Sequence, residues 1–298
     1  MEAITDIIGS KKEIDGIIRR YGFQPEHNLY HYMYGHNSYR KNVFFRSGGY
    51  GIMASVTRRG IWRLLAEPLA PEKARLQLIE EFIRYSLRKG KKAFLELGTE
   101  NTKAVRELAR TKRFRATGSY EVLYWPVYNL KKHDPSLPGQ EWKKMRNILN
   151  CLTKKHKIEV IPSKEVQKDK LRRIIHEWRK ARNANDQVNN SYYLKIIEDG
   201  FMGFDMTRTV IIDGVPCTIT GGWRIPNSNG YYSCLGIMNY AHQGLGEFSN
   251  LDDLAAIKKK GFDFTDFGGS DRVLLSFKKK FRPESIYKTY IFSVVPSK

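Results

Sequence analysis

The stretch DFGGSDRVLLSFKKKF, Asp266 to Phe281, packs a strand end, a double-glycine turn and a short helix into one run. Just upstream, LDDLAAIKKKGFDFTDFGGS (Leu251 to Ser270) reads as a helix, a basic stop at Gly261, a short strand and a second glycine, Gly269. EEFIRYSLRKGKKAFLELGT (Glu80 to Thr99) follows the same plan with Gly90 and Gly98. In that copy Ile79, Phe82 and Ile83 form a helical stripe, and Gly90 suits a left-handed C-cap. Phe94, Leu95 and Leu97 then make a short buried strand. A further helix follows each copy: NTKAVRELARTKRF after the first, VLLSFKKKF after the second.

Hairpin-like runs precede both units. VFFRSGGYGIMASV and IWRLLAEPL meet at Thr57 to Gly60, while TRTVIIDGVPCTITGGW and GYYSCLGIM carry turns at Asp213-Gly214 and Asn227 to Gly230. A period near half the chain points to duplication rather than to a solenoid, the competing reading being two generic α/β units that agree by chance. The expected fold is mixed α+β, with two tandem lobes at 1–130 and 131–298, each a mostly antiparallel central sheet flanked by helices. The polar, proline-bearing stretch Asn129 to Gly139 (NLKKHDPSLPG) is the expected link.

Composition narrows the class. A hydrophobic share of 41% suffices for a packed core and excludes a disordered chain. No apolar run approaches the roughly 20 residues that span a bilayer. MEAITDIIGSKKEID lacks the apolar stretch of a secretory signal, so a cytoplasmic location is expected. Cys151, Cys217 and Cys234 are odd in number and lack CxxC spacing, which argues against a disulfide framework or a zinc knuckle. His27, His31 and His36 cluster without an HExxH pattern, so no metal is expected.

The net charge is +21, which points to an anionic partner: nucleic acid, an anionic membrane surface or a phosphate-bearing ligand. From Glu141 to Arg182 there are 14 Lys/Arg against 5 Asp/Glu, a concentration that solvated helix faces alone explain poorly. In EWKKMRNILNCLT, Trp142, Met145, Leu149 and Leu152 form one apolar face, leaving Lys143, Arg146, Asn147 and Asn150 on a polar face fit to grip phosphates. A second helix, Lys170 to Asn183, buries Leu171, Ile174, Ile175 and Trp178 and projects Arg172, Arg173, Arg179 and Arg182.

LPGQEWKKMRNILNCLTKKHKIEVIPS resembles the segment that opens the second lobe of Fem-type aminoacyl transferases, and TDFGGSDRVLLSFKKKF resembles that family's C-terminal DFGG…FK-x-x-F motif. VFFRSGGYGIMAS and LAEPLAPEKARLQLIEEF resemble the phosphatidylglycerol lysyltransferase C-terminal domain, the DUF2156 group. The resemblance implies two GNAT-like acyltransferase lobes with the reaction in or near the cleft between them. It also implies transfer of an amino acid from aminoacyl-tRNA to an amine or a lipid hydroxyl, with tRNA as a partner and no further cofactor. Two departures stand out. The family's G-D-P turn is here Ala66-Glu67-Pro68, and its D-L-M-R stretch is Cys234-Leu235-Gly236-Ile237, without the acid or the arginine.

Aminoacyl transfer from an ester needs a deprotonated acceptor, a stabilised oxyanion and a protonated leaving oxygen. Lys278 matches the motif lysine and is a candidate for stabilising negative charge, against the alternative of a surface lysine. Asp266 and Asp271 flank Gly268 and Gly269, where a carboxylate can hold an ammonium group or accept a proton, although Asp271 also suits an N-cap. Lys144, Arg146 and Asn147 are candidates for phosphate contact. Trp223 and Tyr232, with Tyr192, Tyr193 and Tyr231, are candidates for lining a cleft, core packing being the alternative. Ala241-His242-Gln243-Gly244-Leu245-Gly246 places Gly244 and Gly246 at an imperfect phosphate or CoA turn. Three classes therefore stay open: an aminoacyl-tRNA-dependent transferase, an acyl-CoA-dependent N-acyltransferase, and a non-catalytic RNA-binding protein on the same fold. The acceptor classes are small molecule, peptide and lipid.

Overall fold

Strand pairing repeats in the way the doubled motif suggests. The computed structural model describes residues 1–112, 114–182 and 190–297. The first half runs β1 (Glu2–Ile4), α1 (Lys11–Tyr21), α2 (Leu29–Tyr34), β2 (Arg40–Ser47), β3 (Tyr50–Thr57), β4 (Trp62–Leu64), α3 (Glu72–Lys89), β5 (Ala93–Gly98), α4 (Thr99–Thr111), β6 (Phe114–Ala116) and β7 (Glu121–Asn129). The second runs α5 (Lys143–Lys155), β8 (Ile158–Pro162), α6 (Lys168–Ala181), α7 (Asn190–Glu198), β9 (Met206–Ile212), β10 (Val215–Pro216), β11 (Thr218–Arg224), β12 (Gly230–Met238), α8 (Leu245–Lys259), β13 (Phe264–Asp266), α9 (Arg272–Lys278) and β14 (Ser285–Pro296). Asn183, the last residue of the expected second basic helix, lies outside the described residues.

In each half an antiparallel meander leads to one parallel pair, β4 with β5 and β12 with β13, bridged by α3 and α8 respectively. A parallel neighbour needs such a crossover, because a tight hairpin can only reverse the chain. The two halves then exchange their last strands. β7 pairs antiparallel with β13, and β14 pairs antiparallel with β5. β7 and β14 also pair with each other, so one sheet runs β1-β2-β3-β4-β5-β14-β7-β13-β12-β11-β9-β10. The sheet thus crosses the division drawn at residue 130 in both directions.

Two details, at Gly90 and at Arg146, differ from the sequence expectation. Gly90 ends α3 in an extended conformation (φ −152°), not a left-handed one. Glycine is needed there because a Cβ would lie 2.3 Å from the Gly60 carbonyl oxygen. The link between the halves is not a free tether, since Leu130 and Leu137 are buried against Tyr128, Met145 and Leu254. Arg146 holds that link down by donating to the carbonyls of Leu137 and Gly139. The first half's core gathers Phe45, Phe82, Leu95 and, from the far end of the chain, Phe292. The second half's main core sets Ile174, Ile175 and Trp178 of α6 against Ile219 and Ile237.

Candidate active site at the lobe seam

A cavity of about 320 Å³ opens where the halves meet, lined among others by Glu26, His31, Arg63 and Glu96 of the first half and Tyr192 of the second. Each half supplies part of the wall. Glu26 lies just before α2, His31 on α2, Arg63 on β4, Glu96 on β5 and Tyr192 on α7. A narrow recess shares Glu26 and Glu96 and continues to Trp125, Tyr287 and Thr289.

The electrostatics follow from burial. Glu96 sits on the buried strand between Leu95 and Leu97, and burial raises its carboxyl above the ordinary value while the Arg63 charge opposes the rise. Its Oε1 accepts from Thr289 Oγ1 at 3.1 Å, and Arg63 Nη2 stands 3.5 Å from Oε2. Glu26 keeps a quarter of its side chain exposed to the cavity, yet it is raised well above the usual range by burial and then by the neighbouring Glu96 charge. His31 is lowered to about 4 by burial and is therefore neutral at neutral pH. Its Nδ1 shares a hydrogen bond with Tyr192 Oη at 2.7 Å, and its Nε2 lies 4.0 Å from Glu26. Asn42 donates its amide to the Tyr32 carbonyl, which leaves its buried Oδ1 without a partner beside the cavity.

A polar chain continues from Glu96 toward the DFGG turn. Thr289 accepts from Trp125 Nε1 at 2.9 Å, the Trp125 ring stacks on Tyr287 at 5.6 Å, and Tyr287 Oη donates to Asp266 at 2.7 Å. Asp266 also accepts from the Gly268 N–H at 2.7 Å. Burial pushes its carboxyl up to about 6.

The sequence candidates divide into groups. Asp266, Gly268, Gly269, Lys278 and Tyr232 come together at the turn. Gly268 has φ +78°, and a Cβ on Gly269 would lie 3.1 Å from Leu123 and Trp125, so both positions call for glycine. Lys278 Nζ donates to the carbonyls of Phe267 and Gly268, and burial lowers it to about 8. Asp271 caps α9, its Oδ1 accepting from Leu274 N at 2.7 Å. Trp223 and Tyr232 are buried and meet edge to face at 5.3 Å, with Trp223 also 5.4 Å from the His31 ring.

Lys144 and Asn147 lie apart from that group, in a separate groove with Lys155, His156 and Gln243. Gly244 begins α8 there with φ +86°, but a Cβ on it would meet Ile148 of α5 at 2.9 Å, and one on Gly246 would meet Phe277 at 3.1 Å. Arg146 belongs to neither group.

Sequence reasoning passed over Glu26, Arg63, Glu96 and Tyr287. Only Glu96 left a signal, a carboxylate inside the apolar strand Ala93 to Gly98. The two departures from the family pattern also have places in the structure. Glu67 accepts from the Gly98 N–H at 2.9 Å and from Asn101, securing the start of α4. Cys234 is the extra residue where the β11–β12 register shifts, and burial first, with the Glu26 charge, raises its thiol well above the ordinary value.

Residues 23–226 match the family model described as phosphatidylglycerol lysyltransferase, C-terminal. The chain belongs to this family. Among curated proteins nothing matches. Among solved structures the chain is similar to L-PGS from Bacillus licheniformis at 13% identity and TM-score 0.66, covering 96% of this chain and 91% of that one. It is similar to FemX at 10% identity and TM-score 0.63, covering 98% and 97%. A tandem GNAT protein from the clavulanic acid biosynthesis pathway matches at 11% identity and TM-score 0.58, covering 99% and 98%. At such identities the structural matches establish the tandem GNAT fold. Family and fold together make the chain an acyltransferase of the aminoacyl-transferase type. No helix among the described residues is long and apolar enough to cross a membrane.

Proposed function

We propose that the chain moves an aminoacyl group from aminoacyl-tRNA to an amine or hydroxyl acceptor inside the seam cavity. The observation that carries this reading is the Glu26–Glu96–Arg63 group, set in a cavity to which both halves contribute. Glu26 takes the proton from the acceptor nitrogen or oxygen as that atom attacks the ester carbonyl. Arg63 faces the negative charge that develops on the carbonyl oxygen. The ester C–O bond then breaks, and Glu26 returns its proton to the leaving 3′-oxygen, so the step balances without a metal or a further cofactor. A raised carboxyl suits this exchange, since its affinity for the proton approaches that of the groups it serves.

Tyr287 and Thr289 line the adjoining recess, and Asp266 accepts from Tyr287 behind it. Lys278 fixes the turn carrying Asp266 by donating to the carbonyls of Phe267 and Gly268. Membership of the phosphatidylglycerol lysyltransferase family supports a lipid hydroxyl as one acceptor class. The test is transfer of labelled amino acid from charged tRNA to candidate amines and lipids. Transfer by the native chain supports the reading, and none from any charged tRNA overturns it.

A second reading, acyl-CoA as donor, rests on the left-handed Gly244 at the start of α8 beside Lys144 and Lys155. The contact of Ile148 with Gly244 weighs against it, because α5 covers the turn on which a pyrophosphate would sit. Acetyl-CoA binding that is lost in Gly244→Trp would favour this second donor.

A further inference from the structure

A groove of about 640 Å³ is lined by residues that include His36, Tyr39, Lys41, Arg58, Ser191 and Lys195. It shares two walls with the seam cavity. The segment from residue 35 to 41 gives Gly35 and Arg40 to the cavity and the intervening residues to the groove. Helix α7 gives Tyr192 to the cavity and Ser191 and Lys195 to the groove. A ligand filling the groove therefore lies at the cavity's edge.

The groove's chemistry is one-signed. Lys41, Arg58 and Lys195 line it, and among the described residues none of the three pairs with a carboxylate. Elsewhere on the surface, Lys131 pairs with Asp263 and Lys132 with Glu284. Lys195 donates to the His36 carbonyl, which fixes its ammonium within the groove. The His36 imidazole is lowered by burial and then by the charges of Lys195 and Lys41, as a local positive field requires. Tyr39 stands 72% exposed with the Arg58 guanidinium 6.0 Å from its ring centroid. An exposed ring flanked by cations offers a stacking face beside phosphate contacts, the combination that holds single-stranded nucleic acid without base readout. A bilayer surface would call for aliphatic side chains at the same place, and the described lining has none.

We infer that this groove docks the single-stranded 3′ end of an RNA, with a base on Tyr39 and phosphates on Lys41, Arg58 and Lys195, so that the terminal ribose reaches the Glu26 cavity. This inference rests on the aminoacyl-tRNA reading and gives its donor an entry path. It differs from the sequence expectation, which placed phosphate contacts on Lys144, Arg146 and Asn147.

The experiment measures binding of the full chain to an uncharged minihelix with a single-stranded 3′ end, and separately to phosphatidylglycerol vesicles, across a salt series. Tyr39→Ala should weaken RNA binding about tenfold, the scale of one stacked base, whereas Tyr39→Phe keeps it. Lys41→Ala and Arg58→Ala should each flatten the plot of log affinity against log salt by about 0.7, one phosphate contact on a single strand. The KM for a charged donor should rise in step. Lys144→Ala with Lys155→Ala serves as the comparison surface. Native RNA affinity and salt slope in the Tyr39, Lys41 and Arg58 variants would overturn the groove, as would vesicle binding lost in those variants while RNA binding stays intact. If transfer by the native chain persists beside unaffected groove variants, the groove alone fails. RNA binding through the groove with no transfer from any donor would leave the groove standing and remove the function proposed above.

Discussion

Glu26, Glu96 and Asp266 are three carboxylates that burial pushes upward in a chain of net charge +21. Such groups oppose stability when ionised, so their retention in one place fits chemistry better than packing. Asp266 allows the sign to be worked through. Its folded value of about 6 exceeds the ordinary 3.8, so its contribution to stability is complete below the unfolded value and is lost as pH rises through about 6. Asp266→Asn, which cannot ionise, should flatten the pH dependence of the unfolding free energy between about pH 4 and 6. Urea unfolding across that range checks it, and an unchanged slope would show that Asp266 does not titrate as its surroundings dictate. At this scale the sequence was legible where a residue sits in a patterned element. Asp266 and Lys278 could be picked from a motif, and Asp271 was readable as a cap. Glu26 could not, because it lies in an aperiodic loop whose place against Glu96 is set by contacts about 70 residues away in the chain.

Elements were legible where turn chemistry is local and hidden where pairing is distant. Thr57 to Gly60 and Asp213-Gly214 announce the β3–β4 and β9–β10 hairpins, and the latter turn takes positive φ at both residues. The exchange of β7 and β14 between halves leaves no such mark, since a strand's pattern reports which face is buried and not which strand lies beside it. The exchange has a thermodynamic consequence. Phe292 is fully buried in the first half's core although it lies near the end of the chain. Phe292→Ala should cost about 3–5 kcal/mol and lower one shared calorimetric transition for the entire chain. Two resolved transitions, with only one displaced, would show that the halves fold independently despite the shared sheet.

For the whole molecule, a basic exterior surrounds an acid-bearing seam. Under the proposed function, the outside suits a polyanionic donor and the inside the ammonium and proton chemistry of its aminoacyl end. Duplication makes this possible, because two similar halves sharing one sheet form a cleft that neither has alone. The doubled glycine-strand-helix unit made the architecture readable from sequence, whereas the cavity had to be assembled from α2, β4, β5 and α7.

In the proposed reaction Glu26 performs the proton transfer at this seam. The most direct measurement is the single-turnover rate of aminoacyl transfer from charged tRNA by native protein and by Glu26→Gln, followed across pH. The native rate should rise with pH through a carboxyl held well above the ordinary range, and Glu26→Gln should lose about 10²–10⁴-fold in rate together with that pH limb, while folding is retained. A Glu26→Gln variant that transfers at the native rate with the same pH profile would contradict it.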